Sequence, residues 1–80
     1  MNAILEFKKV IHLFPPDTRG LNHDEIRLLS QAHHNLSISY SKQGWHDKAK
    51  GEAEEAFDLI PSSENKEVLE LIKQQLSKNK

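Results

Sequence analysis

The sequence predicts an all-α fold, an antiparallel helical hairpin array of about four helices. Three observations predict the helices. Apolar residues recur at spacings of three and four in successive segments of the 80-residue chain. Pro15-Pro16, Gly44 and Pro61 stand where those segments should stop. No stretch alternates apolar and polar residues with a period of two over a useful length.

Each element has its own justification. The first helix, about Asn2 to Phe14, sets Ala3, Phe7, Val10, Ile11 and Phe14 on one stripe before the proline pair ends it. Asp17 to Leu21, with Gly20, reads as loop. Asn22 precedes the second helix, with Glu25 three positions on. That is the capping-box spacing, in which each side chain accepts from the other residue's backbone N–H. This helix carries Leu29, Ala32, Leu36 and Tyr40 inward. Gly44 ends it, because glycine adopts the left-handed conformation after a helix at no steric cost. The third helix runs from His46 or Asp47 to Ile60, where Pro61 halts it. Ser62-Ser63 with Glu64 opens the fourth, which turns Val68, Leu69, Ile72 and Leu76 inward and ends in a charged tail.

Composition narrows the function classes. The length argues for one domain, and a globule this small is marginal unless its helices pack well. No cysteine is present, so neither a disulfide nor a thiolate metal site can form. A net charge of -1 argues against a nucleic-acid or anionic-membrane partner. The apolar N-terminus is broken by Glu6, Lys8 and Lys9 and lacks a signal-peptide pattern, and nothing approaches a membrane span. A soluble cytoplasmic protein is expected.

The second hairpin poses a question. Ala49, Ala53 and Ala56 lie along one helix face, where larger residues would bury more apolar surface. His33, Leu36, Ser37, Tyr40, Gly44, Ala49, Ala53, Ala56 and Pro61 have the spacing of a tetratricopeptide repeat (TPR), and the chain resembles that family over residues 30–61. Leu36, Tyr40, Ala49, Ala56 and Pro61 match its pattern. His33 departs from a favoured Trp, Ser37 from Gly, and Ala53 from a large aromatic. The resemblance implies a hairpin whose helices cross closely, with small residues at Ser37, Ala49 and Ala56 admitting the approach. Tyr40 wedges over the contact and Leu36 fills its near side.

Ala3, Phe7, Val10 and Pro15 repeat the spacing of Ala49, Ala53, Ala56 and Pro61. The first helix therefore resembles the second half of a repeat, and the fourth resembles the capping helix that closes such arrays. The implied division is a half repeat at 2–14, a loop at 15–22, a full repeat with an extended first helix at 23–61, and a cap at 63–77. The long spacer between the units is similar to that in immunophilin-type co-chaperones.

Enzymatic constellations are hard to find. His12, His23, His33, His34 and His46 include no i, i+4 pair of the helical zinc type. There is no glycine-rich phosphate loop and no serine in a nucleophile-elbow context. No catalytic residue, metal or cofactor is assigned, and the chain reads as a non-enzyme. The family resemblance instead implies a binding face on the second helix: Gln31, His34, Asn35, Ile38, Ser41 and Lys42. Asn35 stands where chaperone-binding members place a carboxylate-holding asparagine, a position where asparagine also fixes helix packing. Trp45, in the turn, reads either as a ring folded over the hairpin end or against Pro15-Pro16, or as an exposed anchor for a partner. Lys48, Lys50, Glu52, Glu54 and Glu55 read as a solvated helix face.

Three functional readings follow. The favoured one is a protein-interaction module, an adaptor or assembly subunit docking onto a larger protein partner or peptide. The second is a co-chaperone-like fragment holding an acidic C-terminal peptide, and the third a metal-dependent or regulatory protein using the histidines. The stripe of Ala3, Phe7, Val10 and Phe14 is expected to mediate association, as a homodimer or a hetero-complex, unless the second helix folds back to cover it.

Overall fold

The computed structural model describes residues 3–78. Four α-helices follow in chain order: α1 (Ala3–His12), α2 (His23–Lys42), α3 (His46–Leu59) and α4 (Ser63–Lys78), with a one-turn 3-10 helix at Thr18–Gly20. Among the described residues there is no strand.

The boundaries have local causes. Helix α1 closes two residues earlier than Phe14. Its last turn tightens into i→i−3 bonds, with Leu13 N donating to Val10 O and Phe14 N to Ile11 O, both at 3.1 Å. Phe14 precedes Pro15, whose ring disfavours the helical conformation in the residue before it. Asn2, at the other expected end, lies outside the described residues. The 15–22 segment holds the 3-10 turn, where Arg19 N donates to Asp17 Oδ1 at 3.1 Å and the Arg19 guanidinium reaches Asp17 Oδ2 at 2.8 Å. That guanidinium holds the Asp17 carboxyl below the ordinary aspartate range. The pair is fully exposed and orders the loop more than it stabilises the fold.

The capping box at Asn22 and Glu25 is complete. Glu25 N donates to Asn22 Oδ1 at 2.8 Å, and Asn22 N donates to Glu25 Oε1 at 3.1 Å. At the other end of α2, Gly44 has φ 82. Trp45 N donates to Tyr40 O at 2.9 Å and Gly44 N to Ser41 O at 3.0 Å, the paired bonds of a Schellman motif. This turn reverses the chain within three residues, so α3 returns antiparallel along α2.

The α2–α3 contact explains the alanines. Ala49, Ala53 and Ala56 are buried, as are Leu29, Ala32, Leu36, Ser37 and Tyr40 on the facing helix. Alanine and serine side chains keep the two backbones close. Ser37 is completely buried, and its hydroxyl is satisfied within α2 by donating to His34 O at 2.7 Å. A polar atom can therefore sit in the contact without an unpaired donor.

Helices α1 and α4 flank this hairpin and share its core. Leu69 and Ile72 of α4 are buried with Leu36, Tyr40, Ala49 and Ala53, and Val68 and Leu76 pack against them, as expected. Helix α1 corrects an expectation. Its inward seam is Ile4, Phe7 and Ile11, packed against the core, while Ala3 is exposed. The apolar arc of α1 is wider than one neighbour can cover, and α2 takes one edge of it. Phe7 and Ile11 belong to both lines and are partly covered from within the chain. Val10 and Phe14 are half-buried, and Leu13 on the far edge remains exposed.

Candidate functional site: the outward face of helix α2

Helix α2 is gripped by α1, α3 and α4, so only part of its circumference can meet a partner. The spacing of Gln31, Asn35, Ile38 and Lys42 places them on one line along the helix. Gln31 and Lys42 are exposed, and Asn35, Ile38 and Ser41 are half-buried. Gln31 Nε2 donates to Asn35 Oδ1 at 3.1 Å, so one carboxamide orients the next. The result is a polar strip with one aliphatic residue, Ile38, at its middle.

His34 departs from this strip. Its Nδ1 lies 2.9 Å from Asn65 Oδ1 on α4, so its ring serves helix packing. Asn65 is only 7% exposed and joins three helices. Its Nδ2 donates to Ile60 O at 2.8 Å, with Ser30 Oγ at 3.1 Å and Ala56 O at 3.2 Å sharing the other hydrogen. Ser30 Oγ in turn donates to Ala56 O at 3.1 Å. The carbonyls can only accept, which fixes the amide orientation. Asn65 Oδ1 must then accept from His34, so the proton sits on Nδ1 of that ring. Ser62 Oγ accepts from Asn65 N at 3.2 Å and caps α4. Periodicity offers no sign of this network, since Asn65 in the first turn of α4 and Ser30 within α2 are ordinary polar residues.

His33 points to a different neighbour. Its Nδ1 lies 2.7 Å from Glu52 Oε1 on α3 in a half-buried pair. The carboxylate can only accept, so this ring too carries its proton on Nδ1. Glu52 is thereby removed from the solvated face expected of α3, and Lys50 is also half-buried. Lys48, Glu54 and Glu55 remain exposed. The two adjacent histidines thus serve different contacts, His33 with α3 and His34 with α4. Among the described residues no group of three or more His, Asp or Glu side chains is placed to hold a metal.

Trp45 adopts the folded-over arrangement while staying half-exposed. Its ring centroid lies 5.8 Å from that of Tyr40 at 45°, and Lys48 Nζ sits 5.3 Å from the Trp45 centroid. Its relative exposure of 49% leaves the outer part of the indole available at the Lys42 end of the strip. Among the described residues no helix is long and apolar enough to cross a membrane. No protein-family model, curated protein or solved structure matches the chain.

Proposed function

We propose that this chain is a protein-interaction module of tetratricopeptide-repeat type, an adaptor or assembly subunit that meets a partner protein through α2. The observation that carries the proposal is Ile38. It is an aliphatic side chain only half-covered in an otherwise polar strip, flanked by Asn35, Ser41 and Lys42, on a helix held rigid from three sides. A rigid face with a central apolar contact and a polar surround has the anatomy of a protein-binding patch. The family likeness of the α2–α3 hairpin and the half-exposed indole of Trp45 at the end of the strip support the same use.

Affinity capture from native lysate, quantified against variants, tests it. Ile38→Asp should retain the helical circular-dichroism signal and lose specific capture by at least about tenfold, the equivalent of about 1.4 kcal/mol in binding. Glu54→Lys, on the exposed face of α3, should capture as the unaltered chain does. Equal capture by Ile38→Asp and the parent would place the binding surface elsewhere.

A further inference from the structure

A concavity opens on the other side of α2. Leu29 lies about 180° and His33 about 140° around the helix from Ile38, and they help form a cleft of about 380 Å³. Its walls are the end of α1, the Pro15–Thr18 connection, α2 and the last turns of α3. Leu29 is buried there, and Phe14 and Leu59 are half-buried beside the exposed Pro15. The lining on these sides mixes apolar side chains with His12, Thr18 and His33, and it is acidic on the α3 side, where Glu55 and Asp58 stand one turn apart and exposed.

The charges around this cleft are unbalanced. No Lys or Arg lines it, and of its two histidines His33 is bound to Glu52 while His12 sits exposed at the end of α1. Arg19, next to the lining residue Thr18, is held by Asp17, and the neighbouring Glu52 is matched by His33. Among the described residues Glu55 and Asp58 form no ion pair. We propose that the cleft receives an arginine side chain from a partner protein. A guanidinium is planar and weakly hydrated, so it can lie against the Phe14 ring and Pro15 while its fork donates to the two carboxylates. The aliphatic stem of the same side chain suits Leu29 and Leu59. A lysine ammonium, compact and strongly hydrated, would lose more water and gain only a point contact.

This site uses none of the α2 strip residues, so it stands or falls separately from the proposed partner face. The full chain, isotopically labelled, is titrated with N-acetyl-arginine-N-methylamide and followed by NMR. Saturable shifts are expected at the Leu29 and Leu59 methyls and the Phe14 ring. The neutral citrulline analogue and the lysine analogue should each bind at least about fivefold more weakly. The double variant Glu55→Gln/Asp58→Asn should lose the arginine-dependent shifts while keeping the parent's thermal midpoint, since both side chains are exposed. Ile38→Asp should leave the titration unchanged. Absence of shifts at these residues, equal binding of the citrulline or lysine analogue, or full retention by the double variant would overturn the proposal.

Discussion

Replacing Ala49 with leucine should destabilise the fold by about 1–3 kcal/mol, the usual cost of forcing extra methylenes into a filled contact. Ala49 has no exposed surface and sits in one cluster with Leu36, Tyr40, Ala53, Leu69 and Ile72. Leucine there must either push α3 away from α2 or displace Tyr40 and Leu36 from their rotamers. Either response reaches α1 and α4, because both pack on the same cluster. For a domain of this size the expected loss of thermal midpoint is roughly 4–8 °C per kcal/mol. Glu54→Leu serves as the control, since an exposed site on the same helix should shift stability by no more than about 0.5 kcal/mol. Denaturant melts of both variants check the expectation. A parent-like midpoint for Ala49→Leu would mean that the helices are not held close by small residues.

Asn65→Ala should also cost about 1–3 kcal/mol, by a different route. The substitution removes the 2.8 Å bond to Ile60 O and the 2.9 Å bond from His34 Nδ1, in a place where little water can replace them. Ala56 O keeps its bonds from Ile60 N and Ser30 Oγ, so the damage centres on Ile60 and His34. Because these bonds tie α4 to the other two helices, amide exchange should accelerate most in α4. A double-mutant cycle with His34→Ala gives the sharper measure. Partners in one network should couple by about 0.5–3 kcal/mol, and additive losses would show that the two side chains act independently.

The elements that were legible in the sequence are those governed by local chemistry. Gly44 at φ 82, the Asn22–Glu25 capping box and the stop at Pro61 all depend on neighbours within a few residues. The buried alanines were legible because small residues at helical spacing have few other uses. The exact seam of α1 was not, since Ala3, Ile4, Phe7, Val10 and Ile11 make a broad apolar arc and only packing decides which edge is covered. Nor were the polar contacts. Asn65 meets His34 and Ser30 across 31 and 35 residues of chain, and His33 meets Glu52 across 19. Hydrophobic periodicity registers none of these, so His34 reads as a surface residue and Glu52 as a solvated one until the helices are brought together. The cleft beneath Glu55 and Asp58 is hidden for the same reason, its walls coming from separate elements.

The central claim, that the outward face of α2 is the partner-binding surface, is open to site-specific photocrosslinking. A benzophenone amino acid is placed at position 38, at position 42 or, as a control, at position 54, and each chain is irradiated with its captured partner. Positions 38 and 42 should yield a covalent adduct with the same partner, and position 54 should yield none. Adducts from position 54 alone, with the complex intact and positions 38 and 42 silent, would contradict the account.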